Sequence, residues 1–246
     1  MKKKGVIVAV IVAIIAIVLI IGAIAIYVAK DFSQELAIKK EIQEIGQITS
    51  NIQAVDIEKF NKKTDTIVTS DDYAIVEKAV KQYIKDSINY TLEIKSLLED
   101  EKMENLVTAE NYQIDGPDFI ETTKYISESK AKLEEAKNEF SNMFTQEKIM
   151  SYIDGKIDDE YYIDLYKEVA IGNESELISQ EDLETVKASL DTVIDILNIE
   201  QEMINLLKNN SGKWQIQNNM IMFDSDDLLS KYNELVSKLQ SSATNL

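Results

Sequence analysis

One apolar run constrains this chain more than any other feature of its sequence. Residues 6–29 contain no charged side chain, and Lys2, Lys3 and Lys4 lie close before them. At about 1.5 Å of rise per residue, a helix over this run is roughly 36 Å long, enough to cross a bilayer core of about 30 Å. Because basic residues mark the cytoplasmic side of such segments, we expect a cytoplasmic tip over residues 1–5, a transmembrane anchor over 6–29 and an extracytoplasmic domain over 30–246.

A cleaved signal peptide is the alternative interpretation of this run. Ala23 and Ala25 provide the small-x-small pattern that precedes a signal-peptidase site. Cleavable signals have a shorter apolar core of about 7 to 15 residues, whereas this run continues past Ala25 through Val28. The length therefore favours an anchor in the cell membrane over cleavage after Ala25.

The charge of the outer part excludes one class of partner. Setting the three N-terminal lysines aside, 23 basic residues stand against 44 acidic ones, and every basic residue is a lysine. A net charge near −21 repels nucleic acid, and without arginine there is no bidentate fork for phosphate or guanine. We expect no nucleic-acid partner, and a solvated acidic surface explains most of the charge.

The absence of cysteine and histidine removes much of the usual chemistry of enzymes. No thiol nucleophile, histidine base or typical zinc site can form, and the chain has no glycine-rich phosphate loop or serine-nucleophile motif. A hydrolase that works through carboxylates alone is the third alternative. We predict that the protein is not an enzyme and has no catalytic residues, cofactor or metal site.

Helical spacing dominates the outer part, because the chain has few residues that interrupt helices, with seven glycines and one proline. Pro117 should begin a long helix within its first turn, where proline is tolerated. Apolar residues at three- and four-residue intervals predict helices over residues 32–55, 71–98, 118–153, 154–172 and 180–208, and a last one after residue 227. Long helices with short links indicate an all-α antiparallel bundle outside the membrane.

The helix predicted over residues 180–208 has the clearest pattern. Its apolar stripe repeats in heptads, with Glu200 as the one polar member. We expect Glu200 at a boundary position near solvent, with a register device or an interaction point as the alternatives. The apolar members are Leu183, Val186, Leu190, Val193, Leu197, Ile204 and Leu207.

Residues 213–223 break the helical pattern and predict a small β-hairpin. Apolar and polar residues alternate from Trp214, and Asn218 and Asn219 then precede a second apolar arm that ends at Phe223. Asparagine tolerates the positive φ angles of tight hairpin turns, so the two asparagines mark the turn. Acidic residues and Ser225 follow, which are typical of a helix start.

The C-terminal part resembles an uncharacterised family of bacterial envelope lipoproteins over about residues 204–239. A long helix, a strand with tryptophan, an asparagine turn, a strand ending in phenylalanine and a last helix follow in that order, with Trp214, Ile221, Phe223, Tyr232, Asn233 and Leu235 as the matching residues. The chain departs from the family in having a spanning segment and no lipidated cysteine. The resemblance implies a helical envelope protein of unknown activity.

Two groups of aromatic residues are candidates for partner or ligand contact. Tyr161, Tyr162 and Tyr166 lie among acidic residues and could hold a cation, while packing of a short helix is the simpler explanation. Trp214 and Phe223 could form a partner site on the hairpin or close one end of the bundle. Acidic clusters around Gly155 and Ser225 do not fit a calcium loop, and helix capping explains them.

The function that we predict is a non-enzymatic structural or protein-interaction module of the bacterial envelope. The bilayer is its expected partner through residues 6–29, together with an envelope or membrane protein or a second copy of the chain. The alternative is an extracytoplasmic sensor or a helical bundle that binds a small ligand. Such a sensor would need a membrane partner, since the chain has one spanning segment.

Overall fold

The computed structural model describes residues 33–51, 54–172 and 180–242, which are mostly helical with one small hairpin. The predicted anchor lies outside these residues. None of the helices within them combines the length and apolar character that crossing a bilayer requires. The elements are α1 (Ser33–Thr49), α2 (Ile57–Asp65), α3 (Asp71–Leu98), α4 (Glu101–Asn105), α5 (Ala109–Asp115), α6 (Ile120–Met143), α7 (Gln146–Ser151), α8 (Glu160–Ala170), α9 (Gln180–Asn209), β1 (Trp214–Gln217), β2 (Met220–Phe223) and α10 (Asp226–Ser242).

These elements belong to two compact units. The described part of the first unit comprises residues 94–137 and 186–242, and it includes the hairpin. The described part of the second unit comprises residues 33–51, 54–93, 138–172 and 180–185, and it includes α1, α2 and α8. Each unit has its own buried side chains, such as Phe119 and Leu197 in the first and Phe60 and Tyr166 in the second.

The helix predicted over residues 118–153 is two helices, which corrects that prediction. Helix α6 ends at Met143, and the hydroxyl of Thr145 donates to the carbonyl of Asn142 at 2.9 Å. The same hydroxyl accepts the backbone N–H of Lys148 and so caps α7. A threonine hydroxyl can donate to one backbone carbonyl and accept a backbone N–H at the same time, and these hydrogen bonds compete with those of a continuous helix.

The start of α6 also differs from the prediction. Pro117 lies in a turn, and the helix begins three residues later at Ile120. The carboxylate of Asp115, the last residue of α5, accepts the backbone N–H groups of Glu121 and Thr122 at 3.2 and 2.7 Å, so it caps α6. Although burial opposes the charge, these hydrogen bonds lower the pKa of Asp115.

The apolar stripe of α9 is buried along its length, as the heptads predict. The expectation for Glu200 was wrong, because its exposed fraction is 0%. In α3 the apolar residues at helical spacing predict a buried face of Val76, Val80, Tyr83, Tyr90, Ile94 and Leu97, and the structure departs from it near the end of the helix. Tyr90 and Leu97 are half-exposed, whereas Ile88 and Leu98 are buried, because a straight helix drifts relative to a seven-residue repeat.

The hairpin is confirmed, with strands at residues 214–217 and 220–223. The strands pair antiparallel, with Trp214 opposite Phe223 and Ile216 opposite Ile221. Asn218 and Asn219 form the turn with φ angles of 51° and 60°. Both values lie in the left-handed region that asparagine tolerates, so the turn follows from these residue types.

Replacing Asn219 by glycine should raise the free energy of unfolding by about 0.5 kcal/mol, because glycine adopts positive φ without a side-chain penalty. Replacing Asn219 by valine should lower it by about 1 kcal/mol or more, since a β-branched residue fits this region poorly. Urea titration of the two variants measures both changes. An unchanged midpoint in the valine variant would mean that the turn does not contribute to stability.

Candidate interaction surface

Trp214 fixes the hairpin to the helical part of the first unit. Its ring stacks on Phe119 with centroids 5.9 Å apart and meets the edge of Tyr112 at 6.2 Å. Its indole N–H donates to the carbonyl of Leu207 at 2.9 Å, near the end of α9. The side chain is half-buried and held by rings and a hydrogen bond, so one of its roles is to anchor the hairpin.

Phe223 makes a second anchor from the opposite strand. Its ring packs on Tyr232 of α10 at 5.1 Å, and the hydroxyl groups of Tyr232 and Tyr112 are 3.0 Å apart. Burial raises the pKa of Tyr112, and Tyr232 and the nearby charge of Glu200 raise it further. The hairpin therefore stands on a layer of aromatic rings, and contact of Trp214 and Phe223 with a partner stays a prediction.

The opposite face of the hairpin is open to solvent, and it is the surface that the sequence reasoning missed. Met220 and Met222 are 59% and 45% exposed, and they pair with Gln217 and Gln215. A two-residue turn at the asparagines fixes this register, so the methionines must share a face with the glutamines. The continuous apolar run of β2 concealed the alternation.

A groove of about 920 Å³ runs along α10 in the same unit. Ile199 of α9 and the exposed Leu229 of α10 supply its large apolar side chains. The rest of its lining is polar, including Asn233, Glu234 and Lys238. The groove is open along its length, so it is a shallow surface depression rather than an enclosed pocket.

Tyr161 and Tyr162 lie together in the second unit, and Tyr73 of α3 joins them. The rings of Tyr161 and Tyr162 are 5.0 Å apart, and Tyr73 lies 5.0 Å from Tyr162 and 6.3 Å from Tyr161, all edge to face. The hydroxyl of Tyr161 donates to Glu35, which raises its pKa. Because the rings contact one another directly, a cation would have to bind at their outer faces.

Tyr166 lies apart from this group, although the sequence placed the three tyrosines in one cluster. Its side chain is buried, and its hydroxyl donates to the carbonyl of Ile149 at 2.6 Å. One helical turn separates it from Tyr162, and positions four apart should share a face. The two side chains nevertheless differ in burial, because Tyr162 is half-exposed while Tyr166 reaches the core.

A buried ion network lies in the second unit, and the sequence analysis did not predict it, although Glu77 and Lys81 have the four-residue spacing of a helical ion pair. The ammonium group of Lys81 lies 2.6 Å from Glu77 and 2.7 Å from Glu41, and it donates to the carbonyl of Thr66 at 2.6 Å. These three contacts use all its donors. Lys63 extends the network to Glu41 at 2.6 Å.

Glu77 is fully buried and joins the network to the backbone. Its carboxylate accepts the N–H groups of Val68 and Thr69 and the hydroxyl of Thr69 at 2.7 to 3.2 Å. Burial opposes its charge, but the contacts with Lys81 and Thr69 lower its pKa. So many partners fix the network rigidly, and this favours a structural role over a catalytic one.

The acidic clusters cap helices where the structure shows their contacts. Asp159 accepts the backbone N–H of Tyr161 at 2.9 Å, and the hydroxyl of Ser225 accepts that of Leu228 at 3.3 Å. Within residues 33–51, 54–172 and 180–242, no group of three or more acidic side chains is arranged to hold a metal ion.

Comparison with known proteins gives no relative from which a role could be inferred. No family model, no curated protein and no solved structure matches the chain.

Proposed function

We propose that this chain is a membrane-anchored interaction module of the bacterial envelope, with its helical bundle outside the membrane and no enzymatic activity. The exposed methionine face of the hairpin is the observation that carries the proposal. Methionine adapts its shape to different apolar surfaces and is common where proteins bind partners. The aromatic layer behind the hairpin holds this face in position, which lowers the entropic cost of binding.

Photo-crosslinking in native membranes tests this role. A photoreactive amino acid at position 222 should give a defined protein adduct, whereas the same group at Lys132, exposed on α6 of the same unit, should not. Replacing Met220 and Met222 together by serine should weaken recovery of that partner at least about tenfold, if each contributes about 1 kcal/mol. Equal adducts at positions 222 and 132 would contradict the proposal.

A sensor or ligand-binding module is the second candidate, and the groove along α10 favours it. A small ligand in this groove would raise the melting temperature of the full-length protein, since it binds the folded state alone. Replacing Asn233 by tryptophan would fill the groove and remove that stabilisation while leaving the methionine face intact. Ligand stabilisation with no adduct at position 222 would favour this candidate over the first.

A further inference from the structure

Three helices of the second unit begin at the same end. Gln34, in the first turn of α1, accepts hydrogen bonds from the N–H and hydroxyl of Ser70 at 2.8 and 3.2 Å, and Ser70 directly precedes α3. Tyr161, in the first turn of α8, donates to Glu35 of α1. The starts of α1, α3 and α8 therefore lie side by side.

The three helices also run in the same direction from that end. Further along, Lys39 of α1 pairs with Glu168 of α8 at 2.8 Å, and Glu41 of α1 pairs with Lys81 of α3 at 2.7 Å. In each pair of helices, the second contact lies closer to the C-terminus of both helices than the contact at their starts, so the helices are parallel. The 17 residues of α1 correspond to about 24 Å of length, so its other end is well separated from these starts.

The length of the chain limits how far this end can lie from the apolar run. Residues 30–32 alone separate that run from Ser33. Even a fully extended chain of this length spans at most roughly 14 Å, and the headgroup layer on one side of a bilayer is roughly 5 to 7 Å thick. This step rests on the proposed function, because it requires residues 6–29 to be the anchor.

The surface at this end combines aromatic rings, one apolar side chain and acids. Tyr161 and Leu36 are 43% and 47% exposed, and Tyr162 is half-exposed. Tyrosine favours the boundary between headgroups and water, where its ring and hydroxyl are both accommodated. The exposed carboxylates here repel anionic headgroups and attract ammonium groups, and they belong to Asp71, Asp72, Asp159 and Glu160.

We propose that this tyrosine end, formed by residues 33–36, 70–73 and 159–162, lies against the outer surface of the bilayer. Its carboxylates and tyrosine rings contact the ammonium groups of zwitterionic lipid headgroups. The second unit then stands on the membrane, with α1, α3 and α8 directed away from it.

Single cysteine labels test this orientation, because the natural chain contains no cysteine. Full-length Glu160→Cys and Ser50→Cys variants carry a fluorophore at the tyrosine end and directly after the other end of α1, and both positions are exposed. In phosphatidylcholine vesicles with a nitroxide on the headgroup, we expect the label at position 160 to be quenched at least about twofold more than that at position 50. Position 50 lies more than about 20 Å from the start of α1, which is at the tyrosine end. Equal quenching would overturn the proposal.

The lipid and the tyrosines provide the second part of the test. Replacing about a third of the lipid by phosphatidylserine should reduce quenching at position 160, because the acids repel anionic headgroups. Replacing Tyr161 by serine should reduce it further than replacing Tyr161 by phenylalanine, which keeps the ring. Equal quenching at position 160 with and without phosphatidylserine would overturn the proposed contact with ammonium groups. A chain that does not remain with the vesicles would show that the anchor itself fails, whereas a retained chain with equal quenching refutes the orientation alone.

Discussion

Replacing Lys81 by methionine should lower the free energy of unfolding by about 3 to 5 kcal/mol, because it leaves two buried carboxylates without their shared cation. Glu77 loses its contact at 2.6 Å and Glu41 loses one at 2.7 Å, and both side chains are buried. Methionine fills a similar volume, so a cavity contributes little to the loss. Denaturant titration at neutral pH measures the change.

The matched control is Lys85→Met, one turn further along α3. Lys85 pairs with Asp65 at 2.6 Å, but Asp65 is largely exposed, so we expect a loss below about 1 kcal/mol. The pH dependence distinguishes the two sites further. The lowered pKa of Glu77 and Glu41 means that the wild type is stabilised above about their ordinary value of 4.5 and loses this stability as the pH falls. Without Lys81 this loss in acid should shrink, and an unchanged acid profile would contradict the assigned role of the network.

Replacing Phe119 by alanine should lower the free energy of unfolding by about 3 to 5 kcal/mol and loosen the hairpin. The ring of Phe119 is fully buried and contacts both Trp214 and Tyr112, at 5.9 and 5.8 Å. The space that it leaves lies directly under the indole, which should become more mobile and more solvated. Since Trp214 is the single tryptophan of the chain, its fluorescence should shift to longer wavelength.

Ile120→Ala is the control for this variant, because the neighbouring Ile120 is largely exposed. We expect a change within about 0.5 kcal/mol and an unaltered emission spectrum. A Phe119→Ala protein that loses stability but keeps the wild-type emission would show that the aromatic layer does not hold the hairpin. Methionine-face crosslinking in the same variant then measures how far partner binding depends on that anchoring.

Local patterns predicted the elements better than the contacts between them. The buried stripe of α9 and the hairpin turn followed from spacing and residue type, because periodicity and positive φ are properties of neighbouring residues. The ion network did not follow, since Glu41 lies 40 residues before Lys81. The spacing of Glu77 and Lys81 fits a helical ion pair, but such pairs are usually solvated, so it does not indicate burial. The burial of Glu200 also did not follow, because the sequence does not show which side chains cover a polar residue in the apolar stripe of α9.

The tyrosines illustrate the same division. Tyr161 and Tyr162 are neighbours in the chain, so their proximity could be predicted from the sequence. Tyr73 contacts them from another helix, whereas Tyr166 is buried in the core. Both positions depend on how α3 and α8 pack, which the sequence does not show. On the hairpin, the sequence analysis proposed Trp214 and Phe223 for partner contact, whereas the structure exposes Met220 and Met222. These two methionines could have been predicted to share the exposed face from the register of the hairpin alone.

The hairpin has a further consequence for solubility, because in the described part of the chain the outer edge of each of its two strands has no neighbouring strand. Such edges can recruit a strand from another molecule and lead to aggregation. Here each strand has four residues, and the backbone N–H of Asp224 closes the open end by donating to the carbonyl of Lys213. A lysine and an aspartate flank the strands at that point, so short length and local charge protect the edges while the methionine face stays accessible.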